Sequence, residues 1–311
     1  MKKAVGIGVS NFEFFNILLS YYPKDLNEDF TFYLFVDTNK LSIDHVKRLV
    51  KTHGIPAFDN AEYISVPSLY EFYEHELNLT GKSKTFLFEH GCFFKLLMPD
   101  YLHRHFGVDQ IYSSDDDVFI LGDLTDTFAN YKGFGFKKDN LFNFKTERKH
   151  EFLAAFNEMF ESDFSMERIN GLSLNAGNIM SRYHEKLIYF FERFITHKMS
   201  HHMFFDFTGY TSWTTEQRFH HFWMHWLMDE GKYPVDMLKA EDLRLVLSVG
   251  KNHPDQYLKS ATPRLIHYAV GKKKHLFLSE FLPRIEWKYG FIYQPKYEMK
   301  NKLFCENAKL F

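Results

Sequence analysis

The chain has 311 residues, 45% of them hydrophobic and 25% charged, and its 38 Lys and Arg nearly cancel 40 Asp and Glu to leave a formal charge of −2. That balance excludes an intrinsically disordered chain, which needs fewer apolar residues and more net charge, and it excludes the strong basic field of a general nucleic-acid coat, although a local basic patch stays compatible with it. At roughly 150 residues per domain the length suits about two domains, yet α/β chains of this length are often one domain with a C-terminal elaboration, and one domain is the expectation.

The rings are unusually many: 36 Phe, 18 Tyr and 4 Trp make up 19% of the residues, so aromatic side chains must fill much of the core. No window approaches the ~20 uninterrupted apolar residues of a spanning helix. The run Ala4 to Val9 meets Ser10, Asn11 and Glu13 before a signal-peptide apolar stretch could finish, so the mature protein is expected to begin here. Cys92 and Cys305 are too far apart in sequence for a metal knuckle and too few for a disulfide framework. A reducing, cytoplasmic compartment is the expectation, and the sequon Asn78-Leu79-Thr80 is then silent.

Short apolar runs alternate with helix-like stretches: a strand over Ala4 to Val9 and a helix over Phe12 to Tyr21, then a strand over Thr31 to Val36 and a helix over Ser42 to Thr52, capped by Ser42. A strand over Glu62 to Val66 ends at Pro67, and a helical stretch over Lys84 to Phe106 is interrupted by Gly91 and Pro99. The strand Gln110 to Ser113 runs into Ser114-Asp115-Asp116-Asp117 and at once into apolar Val118 to Leu121. Further strands are expected at Gly133 to Lys137, Leu172 to Met180 with a break at Asn175-Ala176-Gly177, Leu243 to Val249 and Arg264 to Tyr268, the last two closing the sheet. Helices are expected at Lys149 to Phe160, Leu187 to His202 and Thr215 to Asp229, and the tail from Trp287 has no clear period. There are no repeats and no linker-like tract.

Three successive carboxylates at a strand end repel one another unless something positive sits among them. Asp115 and Asp117 can both approach one hard divalent cation if the chain turns there, while Asp116 points elsewhere. An acidic turn after a strand is the alternative, but the apolar flanks place the acids at the carboxyl edge of a sheet, where ligands bind in open α/β folds.

With that segment the chain resembles the DxD region of nucleotide-sugar glycosyltransferases of the GT-A fold, family 8 and its relatives in particular. The order of motifs is similar: Phe93-Phe94-Lys95-Leu96-Leu97 with Pro99, then Tyr112 to Val118, then Gly122-Asp123-Leu124. Lys95 stands where the family usually has Arg, which keeps the charge and loses the bidentate fork. Leu174-Asn175-Ala176-Gly177 is similar to the family's Asn-Ala-Gly strand, and Thr215-Glu216-Gln217-Arg218 lies where the family has Asp-Gln-Asp. Ile266-His267-Tyr268-Ala269-Val270-Gly271-Lys272-Lys273-Lys274 resembles its His-aromatic-x-Gly-x-x-Lys-Pro-Trp segment, with one extra residue before Gly271 and His275-Leu276 in place of Pro-Trp.

The resemblance implies an α/β fold of GT-A type: a Rossmann-like twisted mixed sheet with helices on both faces and a helical C-terminal part, residues 1–285 forming the transferase domain and 286–311 an extension packed on it. It implies transfer of a sugar from a nucleoside diphosphate donor, a UDP-sugar, with retention of configuration. Asp115, Asp117 and His267 would hold Mn²⁺ or Mg²⁺. Lys95, Gly271 and Lys274 would face the diphosphate; Gly8, Ser10, Asn11 and Asp116 would line the donor, Gly8 to Asn11 at its nucleoside; and Asn175, Glu216 and Gln217 would address its sugar. The acceptor could be a glycan, a lipid-linked sugar, a protein or a modified DNA base.

Two features are set aside. His221 and His225, four apart, have zincin-like spacing without the acid that would act as base, and read as aromatic core with polar edges. The wider set His197, His201, His202, His220, His221 and His225 could take adventitious metal or line an acceptor wall. Two other functions compete: a nucleotidyltransferase or phosphohydrolase using Asp37 or Asp123 for a second metal ion, and a non-catalytic carbohydrate- or nucleic-acid-binding module.

Overall fold

The computed structural model describes residues 1–23, 30–89, 91–120, 124–125, 128, 131, 133–138, 149–171, 174–198, 215–231, 233–237, 244–246 and 265–268. The chain divides into two units, Met1–Arg244 with Pro263–His267, and Leu245–Thr262 with Tyr268–Phe311. The main sheet and the helices lie in the first.

The early elements follow the alternation of the sequence closely: β1 (Lys3–Val9), α1 (Phe12–Tyr21), β2 (Thr31–Val36), α2 (Ile43–His53) and β3 (Glu62–Ser65). Asn11 caps α1, its side chain accepting from the backbone N–H groups of Glu13 and Phe14, both at 3.1 Å. Ser42 occupies the N-cap of α2 without making a side-chain cap, and that helix ends on Gly54 at φ 57°, a left-handed conformation that glycine adopts without strain.

The strand does end just before Pro67, as expected, and Pro67 also opens a helix that the sequence reading did not include: it sits in the first turn of α3 (Val66–Glu76), where its missing N–H costs nothing, and Ser65 caps that helix by accepting from Ser68 N–H. The interrupted helical stretch resolves into α4 (Gly81–Glu89) and α5 (Phe94–Phe106). Pro99 lies inside α5, where packing retains a helix that propensity alone would break.

Then come β4 (Gln110–Asp115), β5 (Val118–Ile120), β6 (Phe134–Lys138), α6 (Lys149–Phe160), α7 (Met166–Gly171), β7 (Leu174–Arg182), α8 (Leu187–Thr196), α9 (Thr215–Glu230), β8 (Val235–Met237), β9 (Arg244–Val246) and β10 (Leu265–Tyr268). Sequence periodicity gave no sign of α7 or β8, which are too short to show a period.

Seven strands form one mixed sheet in the order β3-β2-β1-β4-β7-β6-β8. The four from β3 to β4 are parallel, β7 runs antiparallel to both β4 and β6, and β8 is parallel to β6. The last strands do not extend this sheet, contrary to expectation: neither β9 nor β10 is among the seven, and β10 pairs antiparallel with β5.

Side chains alternate across the sheet, so the two faces of β1 and β2 differ. On one face Ala4, Tyr33 and Phe35 join a cluster with residues of α3, α4, α5, α6, α8 and α9. On the other, Val5, Ile7, Phe32 and Leu34 are buried with Phe14, Phe15 and Leu18 of α1 and Val46 and Val50 of α2. Rings fill the helical layer: Phe156 stacks on Phe222 at 3.8 Å, Phe160 on Phe190 at 4.9 Å, and Phe93 meets Phe191 edge-on at 5.7 Å. Among the described residues no helix is long and apolar enough to cross a membrane.

Candidate active site

The strand order places a topological switch point between β1 and β4, because the chain builds outward from β1 through β2 to β3 and then returns to β1's free side. In open α/β sheets the crevice beyond the carboxyl ends of two such strands is where ligands bind. Gly8 is in register with Asp115, so the loop Ser10-Asn11 and the acidic turn Asp116-Asp117 leave the sheet side by side. Gly8 is small for a packing reason: a Cβ there would lie 2.2 Å from the Phe94 ring, which stacks on Phe35. Its role is to let α5 approach, and that approach sets the position of Lys95, the next residue after Phe94.

Lys95 is 2% exposed and joins two acids from distant parts of the chain, Asp115 Oδ2 at 3.1 Å and Glu216 Oε1 at 3.6 Å. Glu216 sits in the first turn of α9, where an acid complements the helix dipole. Burial pushes the lysine pKa down, but Asp115 and then Glu216 outweigh it and hold it above the ordinary value. Burial is also the main cause that lifts the Glu216 carboxyl to about 7, with Lys95 opposing and Asp115 adding. The two directions are compatible, since one cation shared by two acids is secure while the more deeply buried acid is under-compensated. Among the described residues the buried Glu216 Oε2 has no hydrogen-bond partner, which leaves it as an acceptor for a ligand hydroxyl.

The neighbouring groups are also insulated from water. His220, one turn along α9, is 7% exposed, and burial with the Lys95 charge depresses its pKa to about 3, so it is neutral. Cys92 is half-buried, and burial raises its thiol well above its ordinary range, which keeps it protonated. Tyr70, on the helix that Pro67 opens, accepts the Phe94 N–H at 3.0 Å and thereby fixes the start of α5. The sequence signal for this helix is Ser65 followed two residues later by Pro, an N-cap with proline in the first turn.

Asp116 is 6% exposed and turns back toward the β1–α1 loop, its Oδ2 accepting from Ser10 N–H at 2.7 Å and Asn11 N–H at 2.6 Å. Burial and then the charge of Asp117 push it up to about 8, against these two bonds, which favour the ionised form. Such repulsion between adjacent acids fits a cation site, because Lys95 is held by Asp115 and Glu216 and neither ion pair reaches Asp116 or Asp117. Asp115, with its side chain 32% exposed, and the partly exposed Asp117 offer hard oxygen donors to a divalent ion.

Among the described residues no three His, Cys, Asp or Glu side chains gather as a ligand set. The backbone nonetheless brings the sequence-predicted third ligand close: His267 is paired with Val118, the residue after Asp117. Asn175 lies on β7 opposite Lys137, and Gln217 follows Glu216 on α9, half-buried. Asp123, Gly271 and Lys274 lie outside the described residues, as do His201, His202 and Cys305.

The helix histidines are packing groups, as the sequence suggested. A His221 ring nitrogen, Nε2, donates to the Ile169 carbonyl at 2.9 Å, while His225 Nδ1 accepts from Arg168 Nε at 3.3 Å. His220, His221 and His225 are all buried. Asp37, one of the two acids considered for a second metal ion, is ion-paired with Lys40 at 2.7 Å.

The Glu216 environment carries a pH signature. Its folded pKa lies above the ordinary 4.5, so the folded state binds the proton more tightly, and this group's stabilisation is full below about pH 4.5 and lost as pH rises through about 7. Glu216→Gln removes that dependence. Denaturant melts at pH 5 and pH 8 are expected to show the variant gaining on the wild type at the higher pH by up to a few kcal/mol, at about 1.4 kcal/mol per pKa unit.

No family model matches the chain, and no curated protein matches it in sequence. Among solved structures it is similar to mouse xyloside xylosyltransferase 1 in its apo form, with 10% identity, a TM-score of 0.52 and coverage of 87% of this chain and 99% of that one. The galactosyltransferase LgtC, in complex with donor and acceptor sugar analogs, matches at 12% identity and a TM-score of 0.48 over 96% of this chain and 99% of that one. At these identities the likeness is one of fold, and the fold is that of the GT-A glycosyltransferases.

Proposed function

We propose that this GT-A chain is a metal-dependent glycosyltransferase that moves a sugar from a nucleoside diphosphate donor, a UDP-sugar, to an acceptor with retention of configuration. One observation carries the reading: the acidic turn Asp115 to Asp117 and the buried Lys95–Glu216 pair converge at the switch point beside the Ser10-Asn11 loop. The fold neighbour bears the name of a sugar transferase, which agrees with it. Residues 1–285 would form the catalytic domain and 286–311 an extension on it, in a reducing, cytoplasmic compartment consistent with free Cys92.

In this reading Asp115 and Asp117, with His267, hold Mn²⁺ or Mg²⁺. The metal, when bound, supplies Lewis-acid stabilisation of the leaving diphosphate. Lys95, charged at any working pH, orients Asp115 and Glu216 and offsets negative charge as the donor bond breaks. Glu216 Oε2, Gln217 and Asn175 address the donor sugar, the buried acceptor oxygen discriminating for a hydroxyl there. Lys274, three residues after Gly271, reaches the diphosphate.

Calorimetry with UDP-, GDP- and ADP-linked sugars, with and without Mn²⁺, tests the reading. Metal-dependent binding of one donor is expected, weakened at least tenfold in Asp117→Asn, with turnover reduced by about 10² or more. If no nucleotide binds the wild type under either condition, the chain is a binding module for some other ligand and the transferase reading fails.

A further inference from the structure

We propose that Asp116 is a positioning residue, a backbone clamp that fixes the Ser10-Asn11 loop against the acidic turn and closes the α1 N-terminus to the donor's phosphates. This rests on the donor-binding reading above. Asp115 ends β4 and is held by Lys95, whereas Asp116, the first residue of the turn, is held by the β1–α1 loop. Its Oδ2 takes the N–H groups of Ser10 and Asn11, and Ser10 Oγ approaches the same atom at 3.4 Å.

Beyond Phe12, the N–H groups of Glu13 and Phe14 in the first turn of α1 are taken by the Asn11 side chain. Four of the amides that an α/β fold could aim at a pyrophosphate are thus already satisfied from within the protein. A donor therefore meets this loop through its nucleoside, while its phosphates lie on the Lys95 side. The clamp joins segments far apart in sequence, so ordering the loop before the donor arrives lowers the entropy cost of binding.

The test compares Asp116→Ala and Asp116→Asn. The asparagine keeps an oxygen able to accept both N–H groups, and the alanine keeps none. Amide hydrogen exchange on the ligand-free protein reads the clamp directly: Ser10 and Asn11 are expected to exchange at least tenfold faster in Asp116→Ala and near the wild-type rate in Asp116→Asn. Affinity for the donor found in the calorimetric panel should fall about tenfold or more in the alanine variant, as a rise in KM with kcat little changed, and return to within about threefold in the asparagine variant.

Unchanged exchange in Asp116→Ala would overturn the clamp, and faster exchange with unchanged donor affinity would overturn the positioning role. If Asp116→Ala does not fold, Asp116→Asn decides: affinity lost despite intact amide protection would mean that the carboxylate touches the donor and would overturn the proposal. A wild type that binds no nucleotide would overturn the functional reading and the donor part with it, while the exchange result would still decide the clamp.

Discussion

Lys95→Met is expected to remove turnover by about 10² or more and to destabilise the fold by about 3–5 kcal/mol at neutral pH, measured by steady-state transfer assays and denaturant unfolding. Methionine fills similar space but leaves Asp115 and the buried Glu216 without the cation that offsets both. Coupling gives the test its specificity. In the background of Glu216→Gln one uncompensated acid is gone, so the stability loss from Lys95→Met should shrink by 1 kcal/mol or more, whereas activity should not recover. Additive stability losses would show that the three side chains do not act as a unit.

Phe222→Ala is expected to cost about 3–5 kcal/mol, read as a lower midpoint in denaturant, because it removes a fully buried ring from the contact between α9 and α6. The Phe222 ring stacks on Phe156 and has Phe160 and Phe164 at 6.2 and 6.1 Å. A double-mutant cycle with Phe156→Ala should return a coupling of about 0.5–1.5 kcal/mol, the part that comes from ring geometry. The destabilised variant should keep donor affinity under conditions where it is folded. Glu216 lies near the start of the same helix, and a loss of affinity without loss of stability would place Phe222 in the site instead.

These two substitutions separate what the chain shows locally from what folding assembles. Elements whose signal is a period of several residues were legible in the sequence: α1 and β2 match their expected limits, as does α6. So was the acidic turn, because three adjacent carboxylates between two apolar runs are a local pattern. The helix histidines could be discounted for the same reason, their spacing lacking an acid. Pro67 marks the end of β3 correctly, but that it also opens α3 shows only in the Ser65 cap.

What the sequence determined by itself is the alternation of strands and helices, the ring-rich core and the presence of acids at a strand end, since each depends on residues near one another in the chain. Tertiary structure alone decided the rest. Strand order made the β1/β4 edge a switch point and sent β10 to β5 instead of to the main sheet. The Phe94 ring, seated in the space that Gly8 leaves open, brought Lys95 between Asp115 and Glu216. The physical reason is direction: at a strand's end the side chain's aim is set by pairing and by the helix packed above, so of three identical acids one meets a lysine and the next meets backbone amides.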